Sequence, residues 1–121
     1  MATVSVDNGE LVVTIRGMRK VWSLKSEITI PIAHVKGATV DPGIRDEFPR
    51  TIEKRVGTNL YQTYYGGTFV QDGDKVFWDV RKPENAIVIT LDNEDFDRLV
   101  VEVENPRETV ELVEGAVGKR P

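Results

Sequence analysis

The residues best suited to chemistry are four cations grouped around a tryptophan. The tryptophan is Trp22, and the cations are Arg16, Arg19, Lys20 and Lys25. Cations beside an aromatic side chain can bind a phosphate group or an anionic membrane surface. The same pattern also fits a turn whose apolar residues face the core while the charged heads stay in water. The sequence leaves both interpretations open and favours the packing of Trp22 over binding.

Few other residues could support catalysis or metal binding. His34 is the only histidine, cysteine is absent, and the acidic stretch 92–95 lacks the full pattern of a calcium-binding loop. A lone histidine after an apolar strand is more often structural than catalytic, and no GxSxG-type serine elbow is present. Gly66 and Gly67 lack the spacing of a phosphate-binding loop and instead predict a bend between strands. We therefore expect no catalytic residue, no metal site and no cofactor.

Three tyrosines in the middle of the chain form a second candidate site. They are Tyr61, Tyr64 and Tyr65. Aromatic side chains with a polar end are favoured at protein interfaces, so these residues predict an exposed binding patch. Burial of one or two of them in the core is an equally good interpretation of the pattern.

The composition describes one acidic domain. The chain has 121 residues and a formal net charge of −4, which suits a single core and argues against nonspecific nucleic-acid binding. Residues 92–114 include nine acids and two arginines, so the two ends of the chain differ in sign. Two solvated faces, intramolecular pairing, self-association or a separate partner would each explain this difference. The lack of cysteine and of a long apolar run leads us to predict a cytoplasmic protein.

Alternating apolar residues predict about seven strands in hairpin order. Asn8 and Gly9 predict the first hairpin turn because both residue types tolerate positive φ. The alternation in stretches 28–32, 76–80 and 87–91 indicates strands with one buried face. Residues 42–60 show little periodicity, so we expect a long loop there, with a short helical piece near 51–55.

The period changes from strand to helix at the C-terminus. Asn105 followed by Pro106 is typical of a helix start, and Val110, Val113 and Val117 form one apolar stripe. A helix of this length is marginal alone, so the stripe must pack on the sheet. The sequence thus predicts an all-β domain with one C-terminal helix over residues 1–118, followed by a loose tail over 119–121.

Several short blocks, which together cover most of the chain, form a further pattern. They are the strand break at Gly17, Ile30-Pro31-Ile32 followed by Val35, Gly57-Thr58, Gly66-Gly67-Thr68-Phe69, residues 86–91, residues 96–103 and the helix start at Asn105-Pro106. This pattern resembles the bacterial domains of the pleckstrin-homology-like superfamily. The resemblance implies a small barrel of two packed antiparallel sheets capped by the C-terminal helix. It implies little about function, because one fold supports many activities.

The prediction for function is a non-catalytic intracellular domain for binding or scaffolding. Its expected partner is a protein, either a different one or a second copy of this chain. The alternative is a peripheral anchor that binds anionic lipid headgroups through the basic turn at 16–25, and an enzyme with an unrecognised site ranks third. A binding domain predicts exposed aromatics or an open sheet edge, whereas an enzyme predicts a cleft at His34 or at the acidic loop.

Overall fold

The computed structural model describes residues 2–15, 27–41, 52–59, 65–71 and 73–118, which form two β-sheets and a C-terminal helix. The first sheet has three strands and the second has six. The elements in chain order are β1 (Ala2–Asp7), β2 (Glu10–Ile15), β3 (Glu27–Pro31), β4 (Val35–Val40), β5 (Ile52–Asn59), β6 (Tyr65–Gln71), β7 (Asp74–Val80), β8 (Ala86–Leu91), β9 (Arg98–Glu102) and α1 (Pro106–Gly118).

The first sheet is an antiparallel meander in the order β1-β2-β3. Its first turn is the predicted one, with Asn8 at φ 50° and Gly9 at φ 77°. Positive φ at both positions matches the right-handed twist of the flanking strands, which is why these residue types suit the turn. Leu11, Val13 and Ile15 alternate into the core, as their period of two predicted.

The second sheet has the order β4-β8-β9-β7-β6-β5. Strand β9 lies between β7 and β8, pairing antiparallel with β8 and parallel with β7. The expected purely antiparallel arrangement is therefore wrong at this pair, and the described strands number nine rather than about seven. Within the described ranges the strands form two sheets and not a closed barrel.

Two sequence-based expectations fail in the middle of the chain. Ile52–Asn59 is strand β5, paired with β6, where we expected a loop and a short helical piece. Gly66 and Gly67 do not bend the chain between strands, because both lie inside β6, opposite Asp79 and Trp78 of β7. Glycine lets the strand continue at Gly67 despite its φ of 120°.

The central strands of the second sheet, β7 and β9, are buried on both faces. One face, with Phe77, Ile89 and Leu99, packs against the first sheet in the main core. The opposite face carries a separate cluster that includes Trp78 and Val100. Because β7 and β9 contribute alternate residues to both clusters, they are the central strands of the molecule.

Helix α1 completes the main core. Val113 is fully buried, and Val110 and Val117 pack against the same cluster, so the predicted stripe is confirmed. The helix also covers the outer edge of β4, where the backbone N–H of Ala38 donates to Glu114 Oε1 at 3.1 Å. Glycine at position 37 leaves room for that carboxylate, since a Cβ there would lie 3.1 Å from the same oxygen.

Candidate functional site

The two sites predicted from sequence fall almost entirely outside the described residues. Those outside are the basic residues Arg16, Arg19, Lys20 and Lys25 and the tyrosines Tyr61 and Tyr64. The backbone of Tyr65 begins β6, but its side chain is not among the described ones. Both sites therefore stay predictions. A different candidate surface lies among the described residues.

That surface is the outer edge of β1. In a hairpin with a two-residue turn, the pair next to the turn exchanges both backbone hydrogen bonds, and bonded and non-bonded pairs then alternate. Asp7 pairs with Glu10 in this way, so Val4 and Val6 fall in the non-bonded pairs. Their backbone N–H and C=O groups therefore point away from β2. No hydrogen bond within the described part of the chain reaches these groups.

Ala2, two residues before Val4, already pairs along this edge. Ala2 is also in a non-bonded pair with β2, and it forms a parallel bridge to Val103, just after β9. The chain near Val103 thus already occupies the first position of the β1 edge. The positions of Val4 and Val6 continue the same line of outward-facing groups, and no described strand pairs with them there.

The other described sheet edges each carry a feature that discourages pairing. On β3, Pro31 faces outward by the same alternation and offers no N–H, while Glu27 adds a charge. The β4 edge is covered by α1 through Glu114. The register of β5 against β6 shifts between Ile52 and Lys54, an irregularity that twists an edge away from a flat partner. Strand β1 has no proline, no internal charge and no register shift, and a groove separates its outer edge from α1.

A groove lies between the first residues of β1, Ala2 to Val4, and the first turns of α1. Its volume is about 360 Å³, within the range of small ligand sites. Leu112 is 44% exposed and gives the helical wall an apolar surface. The residues that line the groove are Ala2, Thr3, Val4, Val103, Glu104, Asn105, Glu108, Thr109 and Leu112.

The charges on the described lining of this groove have one sign. Glu104 and Glu108 line it, and no lysine or arginine is among the described lining residues. Both glutamates are exposed, so their charges are available to an incoming segment. Arg107 and Glu111 lie on the neighbouring surface of α1, which Glu108 also borders. The described lining of the groove is therefore acidic, and the groove lies beside an unpaired strand edge.

Hydrogen bonds at the end of β9 hold the floor of the groove in place. The buried carboxylate of Glu102 accepts the backbone N–H of Arg81 at 2.8 Å and that of Lys82 at 3.0 Å. One residue later, the N–H of Val103 donates to the carbonyl of Asn85 at 3.1 Å. These bonds fix the chain where it leaves the sheet, and so they position both the bridge to Ala2 and the start of α1.

His34 and the acidic loop, the places where an enzyme was expected to show a cleft, are joined to each other. His34 Nδ1 lies 2.5 Å from Glu94 Oε2, and the His34 carbonyl accepts the N–H of Asp92 at 2.8 Å. These contacts tie the loop after β8 to the turn before β4. Among the residues that the structure describes, no three histidine or acidic side chains are grouped to hold a metal ion. The pair thus has an evident role in joining two loops.

Comparisons with known proteins were negative: no family model, curated protein or solved structure matches the chain. Among the described residues, no helix has the length and apolar character needed to cross a membrane.

Sequence reasoning missed the β1 groove because its two walls come from opposite ends of the chain. The only sequence signal was the alternation of valine with small polar residues in β1, without proline or an internal charge. That pattern is typical of a strand with one buried face, and it does not reveal which neighbour the strand lacks.

Proposed function

We propose that this protein is a non-catalytic binding domain that adds an extended segment of a partner protein to strand β1. The observation that carries the proposal is the row of outward-facing backbone groups at Val4 and Val6 beside a groove. Addition of a strand to an exposed edge is a common mode of peptide recognition, in which main-chain hydrogen bonds supply affinity and adjoining pockets supply specificity. Its expected setting is the cytoplasm, as the composition predicted.

The available interactions suit weak, reversible binding. Two N–H and two C=O groups would form four hydrogen bonds, each contributing about 0.5–1.5 kcal/mol net. Covering the exposed part of Leu112 would add about 1 kcal/mol. Ordering a flexible peptide opposes these gains, so we expect short peptides to bind in the millimolar range and longer segments to bind more tightly.

Amide hydrogen exchange tests the open edge directly. In the free protein the amides of Val4 and Val6 should exchange quickly, while those of Thr3 and Ser5, bonded to β2, should exchange slowly. A bound strand should protect Val4 and Val6. Equal protection of all four amides in the free protein would show that the edge is already occupied and would refute the proposal.

A proline substitution separates binding from folding. Val4→Pro removes an outward N–H without removing a bond to β2, so it should abolish peptide binding and cost only about 1 kcal/mol of stability through altered packing. Ser5→Pro is the matched control because it removes a donor to Val12 and should destabilise the sheet more. Peptide binding that survives Val4→Pro undiminished would place the site elsewhere.

The pleckstrin-homology-like family and the lipid anchor also remain proposals. A mostly β chain with a C-terminal helix packed on its core supports the family resemblance, and the parallel pairing of β7 and β9 departs from the purely antiparallel sheets it implies. A structure of the complete chain would test the family through the arrangement of its two sheets.

The lipid anchor is the weaker alternative because its cations are few. Four cations at about 1 kcal/mol each would give near-millimolar binding to an anionic membrane. We expect negligible co-sedimentation with phosphatidylserine vesicles at physiological salt. Salt-sensitive binding that is lost in Arg19→Glu/Lys20→Glu would instead support the anchor.

A further inference from the structure

We infer that the segment bound at β1 is a basic one, with lysine or arginine at alternate positions. This inference rests on the proposed function and adds the chemistry of the partner. Glu104 and Glu108 line the groove, and its described lining includes no cation. A segment lying between them and β1 would bring its own charges close to both carboxylates, so cations would be attracted and acids repelled.

The pairing geometry selects which side chains of the segment matter. Residues directly opposite one another in paired strands project to the same face of the sheet. Val4 and Val6 pack against the main core, which is also the face that α1 covers. The partner residue opposite Val4, which lines the groove, therefore faces the helix and its acids. The partner residue opposite Val6 projects to the same face, while the residue between them, opposite Ser5, faces solvent. The recognised pattern is a cation at every second residue.

The same charges argue against pairing between the β1 edges of two copies. Such a dimer would bring together two copies of Glu104 and Glu108 around one interface. Like charges placed opposite each other in paired elements are destabilising. The occupant is therefore a segment of different sequence and opposite charge.

Three acetylated and amidated hexapeptides provide the test. Each alternates valine with one other residue, which is lysine in the first, glutamine in the second and glutamate in the third. Titration of the isotope-labelled protein by NMR at about 50 mM salt should shift the amide signals of Val4 and Val6. Two exposed ion pairs predict that the lysine peptide binds between about twofold and thirtyfold more tightly than the glutamine peptide. The glutamate peptide should bind most weakly.

Removing the charges of Glu104 and Glu108 tests whether these acids cause the preference for the lysine peptide. Glu104→Gln/Glu108→Gln should reduce the preference for the lysine peptide to less than about twofold, and physiological salt should weaken it in the original protein. Asp95→Asn is the matched control, because Asp95 is an exposed acid in the loop at the opposite end of β9. It should leave the preference unchanged.

The outcomes separate this inference from the proposed function. Equal affinity of the lysine and glutamine peptides, with shifts at Val4 and Val6, would refute the basic partner and support strand addition. If no peptide shifts these signals, the proposed function fails as well. A preference for lysine that persists in Glu104→Gln/Glu108→Gln would refute the groove acids as its cause. Concentration-dependent self-association through β1 would refute a partner of different sequence.

Discussion

Glu102 offers the most direct test of how the groove is held in place. It is the last residue of β9, and its carboxylate is buried beside the end of β7. There it accepts the backbone N–H groups of Arg81 at 2.8 Å and Lys82 at 3.0 Å. Replacing Glu102 by leucine keeps a side chain of similar bulk and removes the carboxylate oxygen that accepts both hydrogen bonds.

The expected loss follows from those two bonds. A partly buried N–H left without an acceptor costs about 1–3 kcal/mol, so two such groups predict a loss of about 2–6 kcal/mol. Burying leucine costs less free energy than burying a carboxylate, so we expect a loss in the lower half of that range. For a domain of this size, a loss of about 3 kcal/mol lowers the melting temperature by roughly 10 °C.

Urea unfolding monitored by tryptophan fluorescence measures this loss as a change in the free energy of unfolding. Glu104→Leu is the matched control, because the same substitution two residues later replaces an exposed side chain. It should change stability by less than about 0.5 kcal/mol. If Glu102→Leu is as stable as the original protein, the two bonds do not hold the end of β9, and our account of the groove floor is wrong.

Four further substitutions test the fold around the groove, each through the free energy of unfolding. Val113→Asp should cost about 3–5 kcal/mol because it buries an unpaired charge, whereas Leu112→Asp, at the exposed neighbouring position, should cost less than about 1 kcal/mol. Equal effects would mean that α1 presents another face to the core. Gly9→Ala should cost about 1 kcal/mol through its positive φ, although nothing lies near the added methyl group. Gly115→Ala, inside the helix with open space around it, should instead stabilise by about 0.5–1 kcal/mol, so the same sign for both glycines would contradict this reasoning.

Local patterns in the sequence predicted those elements that local interactions determine. The turn at Asn8-Gly9 follows from two residues that tolerate positive φ, and the buried face of α1 follows from valines at helical spacing. Strand β5 was missed because its residues show little of the alternation that predicts a strand. Its residues Glu53, Lys54 and Arg55 resemble a loop in composition, yet charges are what an edge strand uses to discourage further pairing.

The position of β9 could not be predicted from neighbours in sequence. The short turn between β7 and β8 suggests a hairpin, but β9 lies between these two strands. A signal for this was present in the composition, because Val76–Val80 and Leu99–Val101 are nearly continuous apolar runs. Strands buried on both faces have such runs, and they occupy the centre of a sheet rather than its edge.

The candidate site depends on that central position. Because β9 runs beside β7, it delivers Val103 to the start of β1 and places the first turns of α1 along the β1 edge. Nothing in the sequence of β1 indicates this neighbour, and the site appears only when the edges of both sheets are compared. Three of them carry proline, a covering helix or an irregular register, features that prevent unwanted pairing. Strand β1 has no proline, internal charge or register shift, and the described lining of the groove beside it is acidic, which is why we propose it as the edge that pairs with a basic segment.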